Sequence, residues 1–218
     1  MRTPKESPAA VDLASPLTEI KTDCAIAQAV RDHGPGGTDN TPPFRYRRWL
    51  FAQTGLDSQL LTDEVGPRLT EHVPEYLRRN IRGRTPAELM FHIFLARLHD
   101  GGHIDDPNLP PAVTRNALAA TLKLVRAELA RAGKADAVLG NIAVTNGRSM
   151  AVAHLHEPLR LRRLSVPAER GERDESFRGF LLVSGGDGDV KEGFEDVPAQ
   201  RAVLISRDLQ ISFAGLEP

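Results

Sequence analysis

Cys24 is the one cysteine in this chain of 218 residues, and so the one thiol that could attack a carbonyl carbon. A lone cysteine excludes a disulfide framework and a zinc site built from thiolates, and it suits a reducing compartment. A small buried apolar residue is the better reading of it. His99, Asp100, His103, Asp105 and Asp106 gather metal-ligand types in one stretch. A histidine pair four apart needs continuous helix to share a face, and Gly101-Gly102 stands between these two. The pattern reads as the end of a helix. His154 and His156 are two apart and would share a strand face, but no third ligand accompanies them. Asp187, Asp189 and Glu192 lie in a glycine-rich turn whose spacing is not that of an EF-hand loop. Gly34-Pro35-Gly36-Gly37 lacks the Lys and Ser/Thr of a phosphate-binding loop. The sequence thus calls for no metal and no cofactor.

The elements that would position these residues follow from periodicity and turn chemistry. Residues 1–17 are rich in Pro, Ala and Ser and read as a flexible arm ahead of one domain spanning 18–218. Residues 20–31 mix β-branched and small side chains and read as a strand. The stretch 32–43 is a loop, and 45–52 alternates basic residues with Tyr46, Trp49 and Phe51 as a strand does. Apolar positions at helical spacing predict a helix over 57–80, broken at Pro67 and restarted near Pro74. The clearest helix is 85–99: Thr85 caps it, Pro86 takes the first helical position, Glu88 completes a capping box and Gly101-Gly102 ends it. A further helix covers 111–132.

Beyond it the chain is β-rich. Segments 141–145 and 151–156 flank Asn146-Gly147 as a hairpin, 177–183 is an apolar strand, and 202–206 and 209–213 flank Arg207-Asp208 as a second hairpin. The charged stretch 165–176 reads as a mobile loop.

Charge is nearly balanced, 28 basic residues against 29 acidic ones, so composition implies no nucleic-acid partner. The arginine clusters at 45, 47 and 48 and at 160, 162 and 163 read as solvated faces. The N-terminal residues have no apolar signal region, and no window approaches the ~20 apolar residues of a membrane span. The expected location is cytoplasmic.

One stretch carries a more specific pattern. Asn40-Thr41-Pro42-Pro43-Phe44 and Phe51-Ala52-Gln53-Thr54-Gly55 resemble the glutamine-site core of class II glutamine amidotransferases, where the pattern reads roughly Asn-Thr-His-Pro-Phe and then Phe-Ala-His-Asn-Gly. Arg84-Thr85-Pro86-Ala87-Glu88 falls where that family has Asp-Thr-Asp-Ser-Glu. The segment 194–209 is similar to its terminal hairpin, with Phe194 where an aromatic is usually Trp. The resemblance covers about 20–218. It implies an α+β fold, an αββα sandwich of two antiparallel sheets between helix layers, here with a shortened N-terminal part that leaves a sheet edge open for pairing.

Carried over residue by residue, the resemblance implies a relic substrate pocket of Arg31, Asn40, Thr54, Gly55 and Thr85 with no catalytic residue. The family's nucleophile is a cysteine after the initiator Met, and here that position is Arg2. Its oxyanion hole is an Asn side chain and the next Gly amide; Thr54 replaces the Asn and Gly55 remains. Losing one such donor costs on the order of 10²–10³ in rate. Arg31 corresponds to the arginine that pairs with the glutamine carboxylate. The family's His falls on Pro42, and its amine-holding Asp falls on Pro86, whose ring accepts no hydrogen bond. Nucleophile, oxyanion Asn, Asp and His are missing together. The expectation is a catalytically inactive amidotransferase-like protein, a pseudoenzyme acting as a non-catalytic subunit or scaffold for a protein partner or a second copy of itself. The alternative is an active glutamine-dependent amidotransferase or hydrolase with a rearranged site recruiting Thr54, Cys24, Arg31 or His33.

Overall fold

A computed structural model of the chain describes residues 22–29, 37–55, 64–166, 177–185 and 192–216. Helix α3 (Pro86–Asp100) organises the core, because it is apolar almost all round and must be covered on every side. Around it lie α1 (Val65–Glu71), α2 (Glu75–Arg78) and the long α4 (Pro111–Arg131), which buries one face through Leu118, Leu122, Val125 and Leu129. These helices rest on a six-stranded antiparallel sheet whose order is β1 (Phe44–Tyr46), β2 (Trp49–Gln53), β3 (Ile142–Thr145), β4 (Met150–Ala153), β8 (Arg201–Ile205) and β9 (Ile211–Gly215). Phe51, Val144, Ala151 and Leu204 stand opposite one another across four strands and face the helices. Phe51 stacks on Phe91 at 5.3 Å between ring centroids, and Trp49 meets Phe94 edge-on at 5.4 Å.

The other face of this sheet carries Ala143, Val152, Val203 and Ile205. It packs on a second antiparallel sheet built from β5 (Leu159–Val166), β6 (Phe177–Ser184) and β7 (Glu195–Asp196), in the order β6-β5-β7. The architecture is therefore an α+β sandwich of two stacked antiparallel sheets, as the resemblance implies. Helices α3 and α4 contact the six-stranded sheet, and α1 and α2 pack against them. No helix among those residues is long and apolar enough to cross a membrane.

Several local expectations change. The alternating run 45–52 folds as two strands, not one: Tyr46 pairs with Trp49, and Arg47-Arg48 form the turn between them, with Arg47 at φ 51°. A two-residue turn needs this left-handed geometry, which glycine or asparagine usually supplies, so no sequence signal marks it. Residues 22–29 join no ladder. Their exposure alternates, with Cys24, Ile26 and Gln28 half-buried, as in an extended segment laid across a surface. Pro67 does not break its helix. It sits in the first turn of α1, where a missing N–H costs no intrahelical bond.

Thr85 caps α3, its hydroxyl accepting from the Glu88 N–H at 3.2 Å. Glu88 does not reach back to Thr85. Its carboxylate is buried and accepts from the backbone N–H groups of Arg82 (3.0 Å) and Gly83 (2.7 Å), tying down the loop before the helix. The hairpin at Asn146-Gly147 forms with a four-residue loop, because the Asn146 side chain accepts from the N–H groups of Arg148 and Ser149. Strand β4 stops at Ala153, so His154 and His156 lie in the loop beyond it and not on a strand. Strand β5 runs to Val166, into the stretch expected to be loop. The arm at 1–17, Arg31, the rest of the 165–176 loop, and Asp187 and Asp189 lie outside the described residues.

Candidate functional site

Strand β2 delivers Thr54 and Gly55 to the end of the six-stranded sheet, where the chain enters β3 through Gly140 and Asn141. The Thr54 N–H donates to the Asn141 carbonyl at 2.9 Å, continuing the ladder past the last paired residues. Gly140 is required here: a Cβ on it would fall 1.4 Å from the Thr54 carbonyl oxygen. Glu157, in the loop leading to β5, turns its carboxylate onto the pair. The Thr54 hydroxyl donates to Glu157 Oε2 at 2.8 Å and accepts from the Asn141 N–H at 3.1 Å, and that same N–H lies 3.2 Å from Oε2. Glu157 Oε1 lies against Gly55, which takes φ 57°; a Cβ there would sit 1.8 Å from that oxygen.

Asn141 locks the arrangement. It is 2% exposed. Its Oδ1 accepts from the N–H groups of Leu155 (2.7 Å) and His156 (3.0 Å), and its Nδ2 donates to the Glu157 carbonyl (2.6 Å) and to Ser184 Oγ (2.9 Å) on β6. All four of its hydrogen-bonding positions are used, and they join the two sheets. A carboxylate thus stands beside Thr54-Gly55 and takes up the hydroxyl. A second negative charge developing there would meet like charge where an oxyanion hole offers donors.

Cys24 is at the other end of the same sheet. Its Sγ lies 3.3 Å from the hydroxyl of Thr145, and Thr145 pairs with Leu50, whereas Thr54 lies beyond the opposite end of β2. Burial pushes the Cys24 thiol up, with the nearby Asp23 charge in the same direction and the Thr145 hydrogen bond opposing. A protonated thiol is a poor nucleophile.

The described pocket residues each have a definite partner. Thr54 and Gly55 belong to the Glu157 cluster. Asn40 and Thr85 sit at the start of α3, where Asn40 Oδ1 accepts from the Arg84 N–H at 2.7 Å and Thr85 is the helix cap. Both act there on backbone groups.

The histidine and aspartate clusters have other tasks. Asp105 pairs with Arg47, Asp106 accepts from the Asn108 N–H, and His99 packs on Tyr76 at 4.7 Å. His154 Nδ1 lies 2.7 Å from the Val197 carbonyl. Among the described residues no group of three His, Cys, Asp or Glu side chains is placed to hold a metal. The arginines at 160, 162 and 163 are engaged as well, with Asp196, the Phe194 ring and the Phe180 ring.

Comparison with solved structures gives a glutamine aminotransferase class-II domain protein from Silicibacter pomeroyi. It superposes with a TM-score of 0.53 at 17% identity, over 84% of this chain and 73% of that one. What the two share is the fold. No family model matches the sequence, and no curated protein matches it. Asn141, Glu157 and Ser184 are not marked by sequence pattern, because each acts on a residue far along the chain. Glu88 and His92 did carry a signal, a four-residue spacing on the helix that the buried side of α3 uses.

Proposed function

We propose that this chain is a catalytically inactive, glutamine amidotransferase-like protein that serves as a non-catalytic, protein-binding subunit or scaffold. The observation that carries this reading is the Glu157 carboxylate set against Thr54 and Gly55. An acyl-transfer site needs hydrogen-bond donors held open for the oxygen that gains charge, and here the Thr54 hydroxyl is spent on an anion. The remote and protonated Cys24 supports the same reading. Exposed Leu181 and Val183 on β6 support the protein-binding part, since paired apolar side chains on an outer sheet face suit contact with another protein.

The test has two arms. Purified protein incubated with glutamine is expected to release no ammonia above background, and Cys24→Ala to behave the same. Ammonia release that Cys24→Ala abolishes would sink the inactive reading and favour the rearranged enzyme. In the second arm, a stoichiometric protein partner is expected to co-purify from the native host and to be lost from a Leu181→Glu/Val183→Glu variant that still folds. A partner retained by that variant, or none at all, counts against the scaffold role.

A further inference from the structure

An open sheet ends in two edge strands, whose outward backbone groups can pair with another chain. The six-stranded sheet ends in β1 and β9, and the three-stranded sheet in β6 and β7. Strands β1, β6 and β7 carry features that discourage such pairing, namely charge or very short length. Arg45 is exposed on the short β1, and β7 consists of the exposed Glu195 and Asp196. The longer β6 carries exposed Arg178. Strand β9 has neither defence. Ile211-Ser212-Phe213-Ala214-Gly215 holds no charge and no proline, and its ladder with β8 runs without a bulge. Phe213 is 42% exposed.

The phase of that ladder shows which backbone groups are open. The Ser206 N–H donates to the Gln210 carbonyl at 2.9 Å, and the Leu216 N–H to the Gln200 carbonyl at 3.4 Å. Bonding positions alternate along an antiparallel strand, so Ser212 and Ala214 also turn their backbone groups to β8. Ile211, Phe213 and Gly215 turn theirs outward, and among the described residues no backbone group bonds to them there. Phe213 stands opposite Val203, on the face toward the three-stranded sheet.

We propose that β9 is a homodimer interface, in which two copies of this chain pair their β9 strands antiparallel about a two-fold axis through Phe213. The strand is its own complement in that register. Phe213 meets its own copy, Ile211 meets Gly215 and Ser212 meets Ala214, so each outward N–H finds an outward carbonyl. The two Phe213 rings form an aromatic cross-strand pair. Gly215 leaves room for the branched Ile211, and no like charges oppose each other within the strand. The six-stranded sheet then continues from one protomer into the next. This interface rests neither on the state of Thr54-Gly55 nor on Leu181 and Val183, which lie on the other sheet.

Sedimentation velocity of the full chain over a concentration series is expected to show a reversible shift from monomer to dimer. Hydrogen exchange of the unaltered chain is expected to slow at the Phe213 and Gly215 amides as the dimer forms, and to change less at Ser212, which already bonds to β8. Phe213→Lys and Phe213→Glu, at an exposed position, are each expected to keep the unfolding midpoint and to weaken self-association about tenfold or more. An equimolar mixture of the two is expected to recover the dimer, because only the mixed pair sets opposite charges across the axis. Leu181→Glu/Val183→Glu is expected to dimerise as the unaltered chain does. A chain that stays monomeric at high micromolar concentration overturns the proposal. So does a dimer that leaves the Phe213 and Gly215 amides unprotected, one that both charge variants retain, one that their mixture fails to restore, or one lost in Leu181→Glu/Val183→Glu. The exchange measurement needs no substitution, so it decides the matter even where a variant loses its fold. None of these outcomes depends on the ammonia assay.

Discussion

Two polar clusters in this molecule, built from similar residue types, end in opposite states. At the end of β2, Thr54, Asn141, Glu157 and Ser184 satisfy one another. Asn141 uses every donor and acceptor it has, and the cluster bridges two sheets. At the start of α3, Glu88 is likewise spent on backbone N–H groups, but its neighbour His92 keeps a buried nitrogen with no partner. The first cluster is closed, and adding a ligand would require breaking existing bonds. The second is open by one hydrogen bond. A saturated buried network specifies structure, whereas an unsaturated one leaves the desolvation of a buried polar atom without compensation.

The comparison breaks most readily at Asn141. Asn141→Ala removes the acceptor shared by two backbone N–H groups and the donors to Glu157 and Ser184, and is expected to destabilise the fold by about 3 kcal/mol in urea unfolding. A loss below about 1 kcal/mol would mean that the bracket is not what joins the sheets. Next in size is Thr54. Thr54→Val keeps the shape and removes the hydroxyl that donates to Glu157, for an expected loss of about 1–2 kcal/mol, while Thr54→Ser stays within about 0.5 kcal/mol. Equal effects from the two would show that packing, and not the hydrogen bond, holds Thr54.

The smallest effect belongs to the open cluster and is read against pH. The folded pKa of His92 is lowered, chiefly by burial, from an unfolded value of about 6.5. Between the two values the unfolded chain binds more protons, so stability is full above about pH 6.5 and falls as the pH drops toward the folded value. Around His92 lie the Glu88 carbonyl and carboxylate and the Tyr46 and Phe91 rings, and Asp39, Arg45 and Arg82 line the same cleft as His92. His92→Phe is expected to flatten this part of the pH–stability profile. An unchanged slope would assign it to another group.

The class II resemblance rested on frame residues such as Phe51, Ala52 and Gly55, and the two stacked antiparallel sheets agree with the fold it implied. It named Thr54, Gly55, Asn40 and Thr85 as pocket residues, and each meets a partner that the resemblance does not name. Asn40 and Thr85 hold backbone at the start of α3, and Thr54 and Gly55 sit against Glu157. Shared spacing preserves where the backbone goes. It does not preserve which side chain arrives from elsewhere to meet it.

By itself the sequence determined whatever depends on neighbours a few residues apart. Thr85-Pro86 starts α3, Gly101 ends it, the apolar spacing across 111–132 makes α4, and Asn146-Gly147 turns a hairpin. Those signals are local because caps, helical faces and turns are built from i to i+4 relations. The tertiary structure alone decided that Arg47 turns a strand into a hairpin, that Glu88 serves the preceding loop, and that Glu157 closes on Thr54 from 103 residues away. It also decided that His92 Nε2 is buried without a donor. Such pairings depend on which groups packing brings within hydrogen-bond distance, and a polar side chain's partner is fixed by that distance, not by its place in the chain.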